Sequence, residues 1–312
     1  MIDAKLSASA SNEIVESIFI SASDGLRLHV RVYRPAAAKG LPVVCLPGLA
    51  RTEADFEALA LYLASDTEHP RCVFALDYRG RGQSAYDQDW RNYNLAVELG
   101  DVVTVLSALS IHRAVFVGTS RGGLLTMLLA AMQSALIAGA ILNDIGPVIE
   151  PKGLMRIKGY IGRMPAPTDY VEGAAALRHL FGAQFSALSD DDWLAWSKRS
   201  WAQTPDGMVA RYDISLGNTM SDFAADQPIP DLWAQFDALT EVPVMVIRGA
   251  LSDLLSAETV ETMRQHKPDI DTLMVPDQGH APLLSELPVM TRISAFVQRC
   301  DQADASIQAE RR

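Results

Sequence analysis

The sequence predicts one doubly wound α/β domain: a mostly parallel, eight-stranded sheet covered by helices and interrupted by an inserted helical subdomain. Three observations carry that prediction. Short apolar runs without alternation recur along the chain, as strands buried on both faces require. Stretches of helical length and spacing fall between most of them. Between residues 144 and 244 the rhythm breaks, with roughly a hundred residues and no strand-like run, too long for a structureless loop.

The elements follow in order. Residues 14–20 and 26–33 flank Ser23-Asp24-Gly25 and predict an antiparallel hairpin. After Pro35 and Gly40 the pattern changes to buried runs at 43–46, 72–76, 115–117, 137–142, 244–247 and 272–275. Helices are expected over 53–63, 93–109, 124–131, 257–265 and 289–298. In the second of these, Leu95, Leu99, Val102, Leu106 and Leu109 recur at helical spacing. The strandless interval is punctuated by prolines from Pro147 to Pro230. Within it Ser189-Asp190-Asp191-Asp192 precedes Trp193 as a capping box would. The core is therefore expected over 14–145 and 239–300, with a helical cap over 146–238. The polar tail from Asp301 is expected to fray.

Composition narrows the functions. With 49% hydrophobic residues, 312 residues can bury a sizeable core. A net charge of −11 argues against nucleic acid and against anionic membrane surfaces. No apolar run is long enough to span a bilayer. Residues 1–13 lack the basic start and apolar stretch of a signal peptide, so a cytoplasmic protein is expected. Cys45, Cys72 and Cys300 have no metal-ligand spacing; Cys45 and Cys72 lie in strand-like runs and read as buried free thiols. Neither a metal nor a cofactor is expected, and the oligomeric state is not fixed.

The chemistry centres on residues 114–123. Ala114-Val115-Phe116-Val117 leads into Gly118-Thr119-Ser120-Arg121-Gly122, and an apolar helix follows. Strand, tight turn and helix, with serine at the turn, suit a nucleophile elbow. Its glycines have a steric reason, since Cβ atoms there would meet the neighbouring strand or helix. A serine nucleophile needs a base, and the base needs a carboxylate to fix its tautomer. His280, after the run 272–275, and Asp253, after the run 244–247, stand past the carboxyl ends of later strands, in that fold's chain order of serine, acid and histidine.

With these residues in place, the chain resembles an α/β-hydrolase of the cap-bearing kind over about 18–297. Asp77-Tyr78-Arg79-Gly80-Arg81-Gly82-Gln83-Ser84 matches that family's Asp-x-Arg-Gly-x-Gly-x-Ser loop, and Gly279-His280 its histidine loop. The loop reads as structural, and Arg79 as non-catalytic. The resemblance implies an oxyanion hole from the backbone amides of Leu49 and Arg121, with Pro47 where the family usually has histidine. That proline puts the loop's usual anchoring in question. Asp253 is the preferred acid; Asp144, after the run 137–142, is the alternative, as some relatives take their carboxylate there. Asp144 equally suits a hinge into the insertion. Arg121, a cation at a helix N-terminus, calls for a carboxylate such as Asp77 or Asp144, or else faces solvent.

Four of the five tryptophans fall in the insertion. Trp193, Trp196 and Trp201 are candidate pocket residues, although helical spacing also suits a small core. Arg156, Lys158, Arg163 and Arg178 are candidate carboxylate holders, or else solvated cations. The expected partner is a small apolar ester or lactone, cleaved through an acyl-enzyme on Ser120. The alternatives are hydrolysis of a carbon–carbon bond in a ring-cleavage product and a small-molecule receptor without turnover. The serine excludes the family branches that use an aspartate nucleophile.

Overall fold

The computed structural model describes residues 15–221, 223–224 and 228–310. Residues 1–13, and Ile14 at the start of the predicted hairpin, lie outside them. The hairpin is β1 (Val15–Ser21) and β2 (Arg27–Tyr33), paired antiparallel with Ser21 opposite Arg27. The buried runs become β3 (Val43–Leu46), β4 (Val73–Asp77), β5 (Ala114–Thr119) and β6 (Ile137–Asn143). Together with β9 (Val244–Gly249) and β10 (Asp271–Val275) they complete an eight-stranded sheet. Its order is β1-β2-β4-β3-β5-β6-β9-β10. β2 meets β4 antiparallel, and from β4 onward every neighbour is parallel.

Burial on both faces explains why the central residues of β3 to β6 are apolar. Along β3, Val43 and Cys45 pack into one apolar cluster while Val44 and Leu46 pack into another on the opposite face. One face is covered by α2 (Leu95–Ala108) and α3 (Arg121–Gln133). The other is covered by α1 (Glu57–Ala64) and α9 (Leu287–Glu310). Asn94 caps α2 by accepting from the Val97 amide at 3.0 Å. α8 (Ala257–His266), capped by Ser256, fills the β9–β10 crossover.

Two expectations are corrected. The tail does not fray at Asp301, because α9 continues to Glu310. Asp301 accepts from buried Arg71 at 2.5 Å, and Asp304 accepts from Arg113, so the polar residues pin the helix to the core. The interval between β6 and β9 is not wholly helical. It holds α4 (Pro151–Tyr160), α5 (Tyr170–Phe181), α6 (Asp190–Ser200) and α7 (Trp233–Asp237). It also holds a ribbon of β7 (Trp201–Thr204) and β8 (Gly207–Ala210). Each ribbon strand is four residues long, below the length at which a strand pattern stands out. The Ser189 capping box of α6 is formed in both directions. Cys45 and Cys300 are buried free thiols, while Cys72 is only partly buried.

Candidate active site

The carboxyl ends of the parallel strands bring the candidate residues to one edge, where doubly wound sheets place their sites. Ser120 sits between β5 and α3 with φ 51° and ψ −112°, a strained conformation for a non-glycine residue. The glycines make that turn possible. A Cβ on Gly118 would come within 2.5 Å of the Gly122 carbonyl, and one on Gly122 within 2.0 Å of the Leu46 carbonyl oxygen. The Ser120 amide donates to the Asn143 carbonyl at 2.9 Å, which ties the turn to the end of β6.

Three side chains form a hydrogen-bonded chain. The Ser120 hydroxyl lies 2.8 Å from His280 Nε2, and His280 Nδ1 lies 2.8 Å from Asp144 Oδ2. Asp144 is fully buried. Its other oxygen accepts from the Gly249 amide at 2.8 Å, and Ser252 Oγ donates to Oδ2 at 2.5 Å. A buried carboxylate with both oxygens hydrogen-bonded is fixed in place. A carboxylate at Nδ1 keeps the proton on that nitrogen and leaves Nε2 to accept from the serine hydroxyl.

The preferred acid, Asp253, is not placed against His280. Arg156 of α4 grips its carboxylate with two parallel bonds, Nε at 2.7 Å and Nη2 at 2.8 Å, and Gln184 adds another. Burial alone would raise the Asp253 carboxyl, but the Arg156 bonds and charge outweigh it and hold it below its usual value. Asp253 thus fastens the inserted segment to the loop after β9. The residue beside it, Ser252, turns instead toward Asp144. The alternative acid named from the sequence is the one in position.

Arg121 follows Ser120 directly, and Leu49 lines the cavity together with the serine. A Cβ on neighbouring Gly48 would stand 3.9 Å from the Ser120 Cβ, so the loop after β3 lies directly against the elbow. The Arg121 amide opens α3 and has no intrahelical acceptor. The Leu49 amide has no partner among the described residues. The question raised by Pro47 has a structural answer. Tyr78 Oη donates to the Pro47 carbonyl at 3.1 Å and Arg81 Nε to the Leu49 carbonyl at 2.9 Å, so two side chains of the 77–84 segment anchor the loop.

The partner of Arg121 is neither Asp77 nor Asp144. It is Glu98 of α2, fully buried, which accepts from Arg121 Nε at 2.5 Å and pairs with Arg81 Nη1 at 2.8 Å. No short-range sequence pattern marks this pair, since Glu98 is twenty-three residues upstream. Arg79 is held by Asp24, Asp87 and Asp101, away from any reacting group, as a structural residue would be.

Asp77 receives the Glu53 and Gln83 amides and lies 2.8 Å from His29 Nδ1. His29, Glu53 and Asp77 are close enough to hold a cation. However, both ring nitrogens of His29 already face partners, Asp77 and Ser17, so the cluster reads as a buttress for the loop.

Above Ser120 lies a cavity of about 450 Å³, between the sheet edge and the inserted segment. Tyr160, Met164, Phe181, Trp196 and Trp201 form its apolar side. Trp193 does not line it. That indole is 2% exposed and stacks on Trp196 at 5.4 Å in the insert's own core, beside Leu177 and Phe185. Among the cations expected in this segment, Arg156 pairs with Asp253 and Arg178 with Asp190. Lys158 donates to the Ser221 and Phe223 carbonyls. Arg51, Asp55 and Arg199 also line the cavity and were not singled out in the sequence. Arg51 stands two residues after Leu49, the one sequence signal available for it.

The sequence model of the alpha/beta hydrolase family matches residues 43–289, and the chain belongs to that family. An alpha/beta hydrolase from Novosphingobium aromaticivorans superposes with a TM-score of 0.85 at 38% identity, covering 92% of this chain and 99% of that one. The chain is 34% identical over 249 residues to a 3-hydroxybutyrate-oligomer hydrolase of Cupriavidus necator, spanning 77% of this chain and 82% of the relative. It is 27% identical over 222 residues to an esterase of Mycobacterium tuberculosis, spanning 67% and 68%. Among the described residues no helix is long and apolar enough to cross a membrane.

Proposed function

We propose that this protein is a serine hydrolase that cleaves a carboxylic ester through an acyl-enzyme on Ser120. The observation that carries the reading is the chain from Ser120 through His280 to Asp144, with both links at 2.8 Å. His280 takes the hydroxyl proton as Ser120 Oγ attacks the ester carbonyl, and Asp144 stabilises the imidazolium that forms. The amides of Leu49 and Arg121 receive the oxyanion, an arrangement in which one donor is worth about 3 kcal/mol of barrier. His280 then returns the proton to the departing alcohol, and water repeats the sequence to release the acid.

The inserted segment acts as a cap. Its aromatic wall excludes water and receives the apolar part of the substrate. A short ester of a hydroxy acid fits the cavity's size, and the Cupriavidus relative's named substrate class supports that choice. The test is covalent labelling of the folded protein with a fluorophosphonate, alongside turnover of a panel of short-chain esters. The reading expects one adduct on Ser120, and turnover at least about a thousandfold lower in Ser120→Ala. A folded sample that takes no label and turns over no ester contradicts it.

A further inference from the structure

The chain carries a net charge of −11, yet the charged side chains around the Ser120 cavity are mostly cations. Arg51, Lys198, Arg199 and Arg211 line it, against Asp55 and Glu57. Arg51 commits its fork to Asp55, Nε at 2.6 Å and Nη2 at 2.5 Å, and donates from Nη1 to Ser200 Oγ at 2.9 Å. Arg199 reaches the same Asp55 oxygen only through a 3.3 Å contact from Nε. Its two terminal nitrogens have no partner among the described residues.

One carboxylate therefore serves two guanidinium groups. Both are mostly withdrawn from solvent, 24% and 22% exposed, on a cavity whose remaining wall is largely apolar. Glu57 is exposed and makes no ion pair with either. Burial pulls Arg199 below its usual value; Asp55 opposes that, and the neighbouring Arg51 charge reinforces it. Position in the last turn of α6 favours a cation there, but that applies equally to exposed Lys198 and does not require burial. A guanidinium with an open fork in an apolar-sided cavity is costly unless its counter-charge arrives with the ligand.

We propose that Arg199, backed by Arg51, is a subsite for a free carboxylate of the substrate. The ester cleaved at Ser120 then bears an anionic end, as every linear chain of ester-linked hydroxy acids does. The subsite deepens the serine-ester reading and rests on it for the identity of the reaction. A planar fork facing a carboxylate gives paired, charge-assisted hydrogen bonds, which a lysine point charge does not reproduce.

The test compares monoethyl succinate with diethyl succinate on the wild type, Arg199→Met and Arg199→Lys. It is paired with calorimetric binding of glutarate to the same three proteins. The wild type is expected to favour the half-ester. In Arg199→Met the ratio of kcat/KM for half-ester to diester is expected to fall by about tenfold or more, mainly through KM, with Arg199→Lys between them. Glutarate binding is expected to weaken in the same order. A proportional loss on both esters, or glutarate binding unchanged in Arg199→Met, overturns the subsite. If neither ester turns over but glutarate binding depends on Arg199, the subsite stands and the ester reading falls.

Discussion

Two carboxylates at the same edge of the sheet make contrasting contacts. Asp144, at the end of β6, is fully buried and shared among His280, Ser252 and the Gly249 amide. Asp253, four residues beyond β9, is taken up by the Arg156 fork and by Gln184, both from the inserted segment. Strand order and chain order permit either to serve the imidazole. The difference lies in placement: Asp144 Oδ2 stands 2.8 Å from His280 Nδ1, whereas the Asp253 carboxylate is held on the Arg156 fork.

That contrast can be broken most strongly at Asp144. Asp144→Asn keeps the shape but can present an amide N–H to Nδ1, favouring the wrong tautomer; kcat is expected to fall by roughly 10⁴-fold in steady-state ester hydrolysis. Ser252→Ala removes one donor from the Asp144 oxygen that also serves His280, and kcat should fall by about tenfold. Asp253→Asn should stay within about threefold in kcat, because its lost partner is structural. Its effect belongs to stability. In a thermal-unfolding cycle, Asp253→Asn and Arg156→Met should show a coupling of about 1–2 kcal/mol. A large kcat loss in Asp253→Asn beside a mild one in Asp144→Asn reverses the assignment.

The smallest effect sharpens the comparison with a third carboxylate, Glu53, which makes no ion pair among the described residues. Burial, followed by the nearby Asp77 charge, pushes its carboxyl up to about 8 from the usual 4.5. The folded chain keeps that proton longer than the unfolded chain does. Its contribution to stability is complete below about pH 4.5 and is lost as pH rises through about 8. Glu53→Gln should therefore raise Tm relative to the wild type more above pH 8 than near pH 5, as scanning calorimetry at the two pH values can show. An equal change at both contradicts the burial of that carboxyl.

Much of the fold is legible in the sequence. Uninterrupted apolar runs identified the buried strands, because a parallel strand covered on both faces has no solvated side to carry polar residues. The serine and histidine were legible for a similar reason: the elbow and the strand-end loop are local patterns. The acid is not settled by the sequence, because Asp144 and Asp253 both follow buried strands and are told apart by tertiary contacts, such as that of Asp253 with Arg156, nearly a hundred residues away in the chain. Glu98 is hidden in the same way, a buried charge on a helix whose sequence pattern is carried by its leucines. The β7–β8 ribbon was too short to show alternation, and Trp193 and Trp196 share one helical stripe although only Trp196 reaches the cavity. Side-chain direction within the insert is a tertiary property.

The most direct test of the central claim is the proton on His280 Nδ1. One-dimensional proton NMR of the resting protein should show a far-downfield resonance from the N–H donated to Asp144. It should persist in Asp253→Asn and disappear or move sharply upfield in Asp144→Asn. A resonance that survives Asp144→Asn but is lost in Asp253→Asn would contradict the account.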